Sequence, residues 1–286
     1  MSTVLETIQG GTRYLEKRGV ESARLNMEHL LAKVLDCKRM TLYIDFDRPL
    51  EESELEPLRE LLKKRGERVP LQHLLGTVDF RGHEFLCDGR ALVPRPETEE
   101  LVDLASAELN SRGEPARVLD LGTGSGAIGL SLALETEAKI AELVLADVSP
   151  EALGLARDNA DKWSDDLKST SLTFAESDLF GALEGTFDLI VANLPYVGRD
   201  EAASLEPEVR EHDPDLALYG GADGTDVIAR FASEVRPFLA DDAVILLEIG
   251  AGQADGLGQC LANAGLRGVE KREDLSKIER FLLARA

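Results

Sequence analysis

Short apolar runs recur through the last two-thirds of the chain, and each stops at a polar residue or a glycine. Leu189-Ile190-Val191-Ala192 is continuous rather than alternating, which predicts a parallel strand buried on both faces. Three similar runs lie at Arg117–Leu121, Leu143–Asp147 and Ala243–Ile249, and a fourth, weaker one at Leu172–Glu176. Helical spacing fills the intervals. Ser149-Pro150 supplies an N-cap and a proline at the first helical position. Helices are expected from about Glu97 to Asn110, Thr225 to Pro237 and Gly252 to Ala264. The first 75 residues follow a different rule. Met27, Leu30, Leu31, Val34 and Leu35 fall on one helical face, with Ser22 as the expected N-cap. Leu55, Leu58, Leu61 and Leu62 mark another helix, expected to end at Gly66. Thr77–Phe80 and Glu84–Cys87 flank Arg81-Gly82 as a hairpin. No repeat or low-complexity linker is visible in the sequence.

Strands alternating with helices predict an open α/β sheet, whose ligands bind at the carboxyl ends of the strands. Those ends carry the chemistry. The first strand runs into Gly122-Thr123-Gly124-Ser125-Gly126, where glycines let the backbone approach a ligand closely. A glycine loop alone also fits a nucleotide dehydrogenase. The second strand ends in Asp147, an acid that can accept from both hydroxyls of a ribose. The third leads to Asp178, a possible acceptor for an adenine amino group, and to Leu179, which could pack on the ring. The fourth ends in Asn193-Leu194-Pro195-Tyr196. Asn193 and the Leu194 carbonyl are adjacent acceptors suited to a planar NH2 group, Pro195 stiffens the turn, and Tyr196 offers a flat face. Alone, that tetrapeptide reads equally well as a strand-ending turn.

The succession of strand ends resembles the class I S-adenosylmethionine-dependent methyltransferases, and Asn-Leu-Pro-Tyr resembles the variant that methylates planar nitrogen. Leu92-Val93-Pro94-Arg95-Pro96-Glu97-Thr98-Glu99-Glu100-Leu101-Val102 is similar to the Pro-Arg-Pro-Glu-Thr segment of the peptide chain release factor N5-glutamine methyltransferases, the HemK-like family. Pro70-Leu71-Gln72-His73-Leu74-Leu75-Gly76, Glu208-Val209-Arg210 and Leu216-Ala217-Leu218-Tyr219-Gly220-Gly221-Ala222-Asp223-Gly224 also match that family, so the likeness spans nearly the whole chain.

The resemblance implies an α/β fold. It would be a Rossmann-like seven-stranded sheet whose last strand, Phe281–Ala286, is antiparallel, with an N-terminal helical bundle and a β-hairpin linker. The implied domains are 1–75 for substrate recognition, 76–90 as the hairpin and 91–286 for methyl transfer. S-adenosylmethionine is the implied cofactor, held by Gly122, Thr123, Gly124, Ser125, Gly126, Asp147, Asp178, Leu179 and Asn193. Asn193, Leu194, Pro195 and Tyr196 are the implied catalytic and substrate-binding residues. Arg95, Glu97 and Thr98 form an expected lid, although Pro-Arg-Pro-Glu-Thr also reads as a helix start with proline at N1 and acids in the first turn. The implied substrate is the glutamine of the Gly-Gly-Gln loop in class I release factors.

One departure stands out: Leu194 occupies a position where the family usually has proline. Asn-Leu-Pro-Tyr also resembles the ribosomal RNA adenine dimethyltransferases, which keeps a nucleic-acid adenine N6-methyltransferase as the alternative. A non-catalytic binding protein is disfavoured by the intact glycines, Asp147 and Asn193, and nothing resembles the hydride-transfer residues of a dehydrogenase.

Charge bears on that choice. Residues 1–90 hold 15 Lys and Arg against 16 Asp and Glu, which leaves 17 against 38 in the remainder, and the chain carries −22 overall. An acidic catalytic half repels a phosphate backbone, so direct nucleic-acid binding is not expected and a protein substrate fits better. The acidity also fits solubility at high salt. Cys37, Cys87 and Cys260 are odd in number and have no metal spacing, and His29, His73, His83 and His212 form no ligand pattern. A reduced cytoplasm and no metal are expected. No run is apolar over a bilayer's width, so no membrane association is expected, and a monomer is the expected state. Lys271-Arg272-Glu273-Asp274 reads as solvated surface.

Overall fold

The computed structural model describes residues 2–136 and 139–286. The chain divides into two compact units, one of residues 1–77 with 206–212 and one of residues 78–205 with 213–286.

The first unit is helical. Helix α1 (Val4–Lys17) starts with a capping box, in which the Thr3 side chain accepts from Glu6 N while the Glu6 carboxylate accepts from Thr3 N. This satisfies two of the N–H groups that a helix start leaves open. Helix α2 (Ala23–Val34) packs on it so closely that a Cβ at Gly11 would lie 2.1 Å from Met27 Sδ. Ser22 precedes α2, but its backbone is left-handed (φ 47°) and its side chain makes no capping bond. That corrects the expected cap, because a left-handed residue does not present its Oγ to the N2 or N3 amide. Helix α3 (Glu52–Gly66) contains Gly66 as its last residue rather than as a left-handed stop, a role that Arg68 takes with φ 70°. Gly66 is needed for space, since a Cβ there would meet the Tyr14 ring at 2.7 Å. Helix α4 (Leu71–Leu75) closes on Gly76 with φ 76°. Val4, Ile8, Leu15, Met27, Leu30, Leu31 and Leu58 form this unit's core.

The hairpin pairs β1 (Thr77–Phe80) with β2 (His83–Leu86) and turns at Arg81 and Gly82, both with positive φ. Helix α5 (Pro96–Ser111) follows, with Pro96 at its first position. Then come β3 (Ala116–Leu121), α6 (Ala127–Glu135), β4 (Ile140–Asp147), α7 (Pro150–Lys162), β5 (Ser171–Glu176) and β6 (Phe187–Asn193). After the short helices α8 (Pro207–His212) and α9 (Asp215–Leu218), the chain continues through α10 (Asp226–Glu234), β7 (Leu239–Glu248), α11 (Ala254–Asn263), β8 (Arg267–Glu273) and β9 (Glu279–Arg285).

The seven-stranded sheet runs β5-β4-β3-β6-β7-β9-β8, and β9 is antiparallel to both neighbours. The final strand expected at Phe281–Ala286 is β9, beginning two residues earlier and inserted between β7 and β8. Its side chains alternate between two buried faces, as do those of the central strands. Val118, Leu143, Leu189, Val191 and Leu246 pack toward α5 and α6, while Leu119, Val144, Ile190, Ala192 and Leu247 pack toward α10 and α11. Both faces being covered explains the unbroken apolar runs. In the turn after β8, Asp274 is buried, where it accepts from Ile278 N at 3.0 Å and pairs with Arg280. Asp274 therefore organises a turn instead of joining the exposed Lys271, Arg272 and Glu273.

Candidate active site

The order of strands reverses between β3 and β6, and ligand crevices of open α/β sheets form at such a switch point. A cavity of about 390 Å³ lies there, at the carboxyl ends of the strands. Its wall includes Gly122, Thr123, Gly124, Ser125, Asp147, Asp178, Leu179, Asn193, Leu194, Pro195, Arg95 and Thr98. Glu97, Gly126 and Tyr196 do not line it.

The glycine loop has a defined shape. Gly122, Gly124 and Gly126 have φ of 72°, 56° and 82°, conformations that side chains rarely adopt. A Cβ at Gly122 would come within 3.0 Å of Leu194 Cδ2, so loop and tetrapeptide are in contact. Gly126 caps α6 with its back to Leu130 and Ala156. Beneath the loop, fully buried Asp120 accepts from Thr123 Oγ1 at 2.6 Å and from Gly129 N at 2.9 Å. Burial pushes its carboxyl up to about 6, against those two hydrogen bonds and with help from nearby Asp147.

Asp147 ends β4. Its Oδ2 accepts from Gly124 N and its Oδ1 from Ser149 N, each at 2.9 Å. Burial raises its pKa, and the backbone bonds oppose the rise. Asp178 is exposed and pairs with Arg230 at 2.6 Å, while Leu179 is buried at φ 49°. A leucine in the left-handed region is strained, and here the Ser177 hydroxyl holds the turn by donating to Leu179 O at 2.7 Å.

At the end of β6, Asn193 stands opposite Glu248 of β7 in the sheet register. Asn193 Nδ2 donates to Thr98 Oγ1 at 3.2 Å, and Thr98 Oγ1 donates to Glu248 Oε2 at 2.8 Å. The Tyr196 hydroxyl donates to Glu248 Oε1 at 3.3 Å. Burial, with the Glu248 charge adding to it, pushes the Tyr196 phenol up to about 12, and burial also raises the Glu248 carboxyl. Leu194 is buried among the residues on the α10 and α11 face of the sheet. Arg95 pairs with Asp213 at 3.0 Å, and Glu97 is exposed.

Sequence reasoning missed Glu248. Its signal was a carboxylate ending an apolar run, the same signal that singled out Asp147. It also missed Arg90, Val148, Ser177, Leu216, Tyr219 and Arg230, which line the cavity from loops and from helices α9 and α10.

The strand order, the antiparallel β9 and the strand-end cavity with its glycine loop define a class I methyltransferase. A release factor glutamine methyltransferase of Deinococcus radiodurans is 42% identical over 274 residues, covering 96% of this chain and 95% of the relative. The protein of the same name from Geobacter sulfurreducens is 36% identical, covering 98% and 95%. The chain belongs to the release factor glutamine methyltransferase family. Residues 6–76 match the PrmC N-terminal domain family, and residues 99–207 match the methyltransferase small domain family. Among solved structures, the release factor-specific protein-(glutamine-N5) methyltransferase of Alicyclobacillus acidocaldarius is 27% identical. It covers 68% of this chain and 93% of its own, with a TM-score of 0.41.

Proposed function

We propose that this chain methylates the side-chain amide nitrogen of the glutamine in the Gly-Gly-Gln loop of class I peptide chain release factors. The observation that carries the reading is Asn193. It ends β6 and lines the strand-end cavity together with Leu194 and Pro195, in a chain 42% identical over nearly its whole length to a release factor glutamine methyltransferase.

The residues of the cavity fit S-adenosylmethionine. The glycine loop provides a backbone cradle that a Cβ would disturb, and Asp147, Asp178 and Leu179 stand around it. Asp147 would take the ribose hydroxyls, Asp178 and Leu179 the adenine, and Gly122 through Gly126 the remaining polar groups. When bound, S-adenosylmethionine supplies a methyl group on a positively charged sulfur.

An amide nitrogen is a poor nucleophile because its lone pair is delocalised into the carbonyl. The task of the site is therefore to hold that nitrogen in line and keep it there. Asn193 Oδ1 and the Leu194 carbonyl accept its two N–H bonds, and Pro195 stiffens the turn that presents them. When bound, the cofactor would supply its methyl as the C–S bond breaks and leaves a neutral thioether, and the methylated nitrogen, strongly acidic as a cation, would then release a proton to water. No side chain has to act as a general base, so positioning and electrostatics carry the rate. Tyr196 and the Arg95–Glu97–Thr98 segment support this arrangement. Residues 1–75 recognise the release factor, 76–90 serve as the connecting hairpin, and 91–286 perform the transfer. The enzyme works as a cytoplasmic monomer without direct nucleic-acid binding.

The test is transfer of labelled methyl to a purified release factor, beside the same factor with its loop glutamine replaced and beside bare ribosomal RNA. Label on the intact factor alone supports the proposal. Label on RNA and none on the factor overturns it in favour of adenine methylation.

A further inference from the structure

We infer that Thr98 and Glu248 are positioning residues, which fix the side-chain amide of Asn193 so that its oxygen, not its nitrogen, is presented to the substrate. The inference rests on the glutamine-methylating role proposed above.

An asparagine side chain is nearly symmetrical in shape, but its two ends have opposite hydrogen-bonding character. A substrate NH2 group donates, so the site works only if Oδ1 faces it. A reversed Asn193 would set two donors against each other and leave the substrate nitrogen unheld.

With Glu248 ionised, counting protons in the buried network gives the direction. A carboxylate only accepts, and Glu248, which is 2% exposed, has one oxygen within 2.8 Å of Thr98 Oγ1 and the other within 3.3 Å of the Tyr196 hydroxyl. Thr98, itself 4% exposed, has a single hydroxyl proton. With that proton directed at Glu248, its lone pairs face Asn193 and can only accept. The Asn193 end at 3.2 Å is accordingly Nδ2, and Oδ1 is the end turned away from Thr98. The chain of bonds begins at Glu248, the register partner of Asn193 on β7, and passes through the first turn of α5. Buried networks in which every hydrogen is assigned specify a single arrangement.

The experiment uses the full chain, a purified release factor and labelled S-adenosylmethionine, with cofactor affinity measured separately by calorimetry. Thr98→Val keeps the side-chain shape and removes the hydroxyl, whereas Thr98→Ser keeps the hydroxyl. Glu248→Gln places an N–H donor where the carboxylate offered only acceptors. We expect Thr98→Val to lower kcat roughly tenfold or more, with KM for the factor and Kd for S-adenosylmethionine within about twofold of wild type. Thr98→Ser should recover kcat to within about threefold, and Thr98→Val/Glu248→Gln should be no slower than the slower single variant, as expected for one unit. Side-chain amide exchange, followed by nuclear magnetic resonance, should show an Asn193 N–H protected in wild type and unprotected in Thr98→Val.

An unchanged kcat in Thr98→Val would overturn the assignment. So would equal loss in Thr98→Val and Thr98→Ser, additive losses in the double variant, a fall in cofactor affinity parallel to kcat, or unprotected Asn193 protons in wild type. A wild-type enzyme that leaves the factor unmethylated would instead overturn the functional reading beneath it.

Discussion

Asp147 Oδ2 accepts the backbone N–H of Gly124 at 2.9 Å, so the acid at the end of β4 latches the glycine loop at the end of β3. The other oxygen holds Ser149 N, where α7 begins. One carboxylate thus fixes both the loop and the following helix start around the cavity.

Replacing it tests the latch. Asp147→Ala leaves two backbone N–H groups without their acceptor, which costs about 1–3 kcal/mol of stability. It should also weaken S-adenosylmethionine binding roughly tenfold or more, because the cradle loses its shape together with the acceptor proposed for the ribose hydroxyls. Denaturant unfolding and calorimetry measure the two effects, and an unaltered affinity would remove Asp147 from the cofactor site.

Asn193→Ala should separate binding from chemistry. The variant loses the acceptor proposed to aim the substrate nitrogen, so turnover should fall on the order of 100-fold, with S-adenosylmethionine affinity within a few-fold of wild type. Single-turnover label transfer beside calorimetry checks it. Near wild-type turnover would show that Asn193 does not aim the nitrogen.

Gly122 and Leu194 make a paired prediction about stability. Gly122→Ala forces a side chain into a left-handed backbone and within 3.0 Å of Leu194, at a cost of about 1–3 kcal/mol. Leu194→Ala removes a buried side chain and should cost roughly 2–5 kcal/mol. Chemical denaturation of both variants measures these losses, and a stable Leu194→Ala would mean that this side chain is not part of the packed core.

Asp120 imposes a pH dependence. Its carboxyl titrates at about 6 in the folded protein against an ordinary 3.8, so between those values the folded state binds more protons than the unfolded state. Its contribution is fully present below about pH 4 and is lost as pH rises through 6, by on the order of 3 kcal/mol. Asp120→Asn removes this titration. The stability of wild type relative to Asp120→Asn should therefore decline between pH 4 and pH 7, as read from denaturation midpoints, and a flat difference would show that the group is not titrating in that range.

The central strands and their ends were legible because a doubly covered parallel sheet imposes unbroken apolar runs, and the residues that stop them stand out. Gly122, Gly124, Asp147 and Asn193 were found this way, and all four line the cavity. Glu248 obeys the same rule but sits between Leu247 and Ile249, so the apolar run Ala243–Ile249 reads through it as strand. Its bond to Thr98 joins residues 150 positions apart, which no local pattern encodes. Ser22, Gly66 and Asp274 failed for a different reason. Residue type suggested a cap, a stop and a solvated charge, but backbone conformation, the Tyr14 ring and the Ile278 amide determined what each one does.

The most direct test of the central claim is where the methyl group lands. After reaction with a class I release factor and S-adenosylmethionine, the factor is digested and its Gly-Gly-Gln peptide is fragmented in a mass spectrometer. The account predicts one added methyl on the glutamine side-chain nitrogen, formed on the order of 100-fold more slowly when Asn193→Ala replaces the wild-type enzyme. A methyl on any other residue of the factor, or an unmodified peptide from the wild-type reaction, would contradict it.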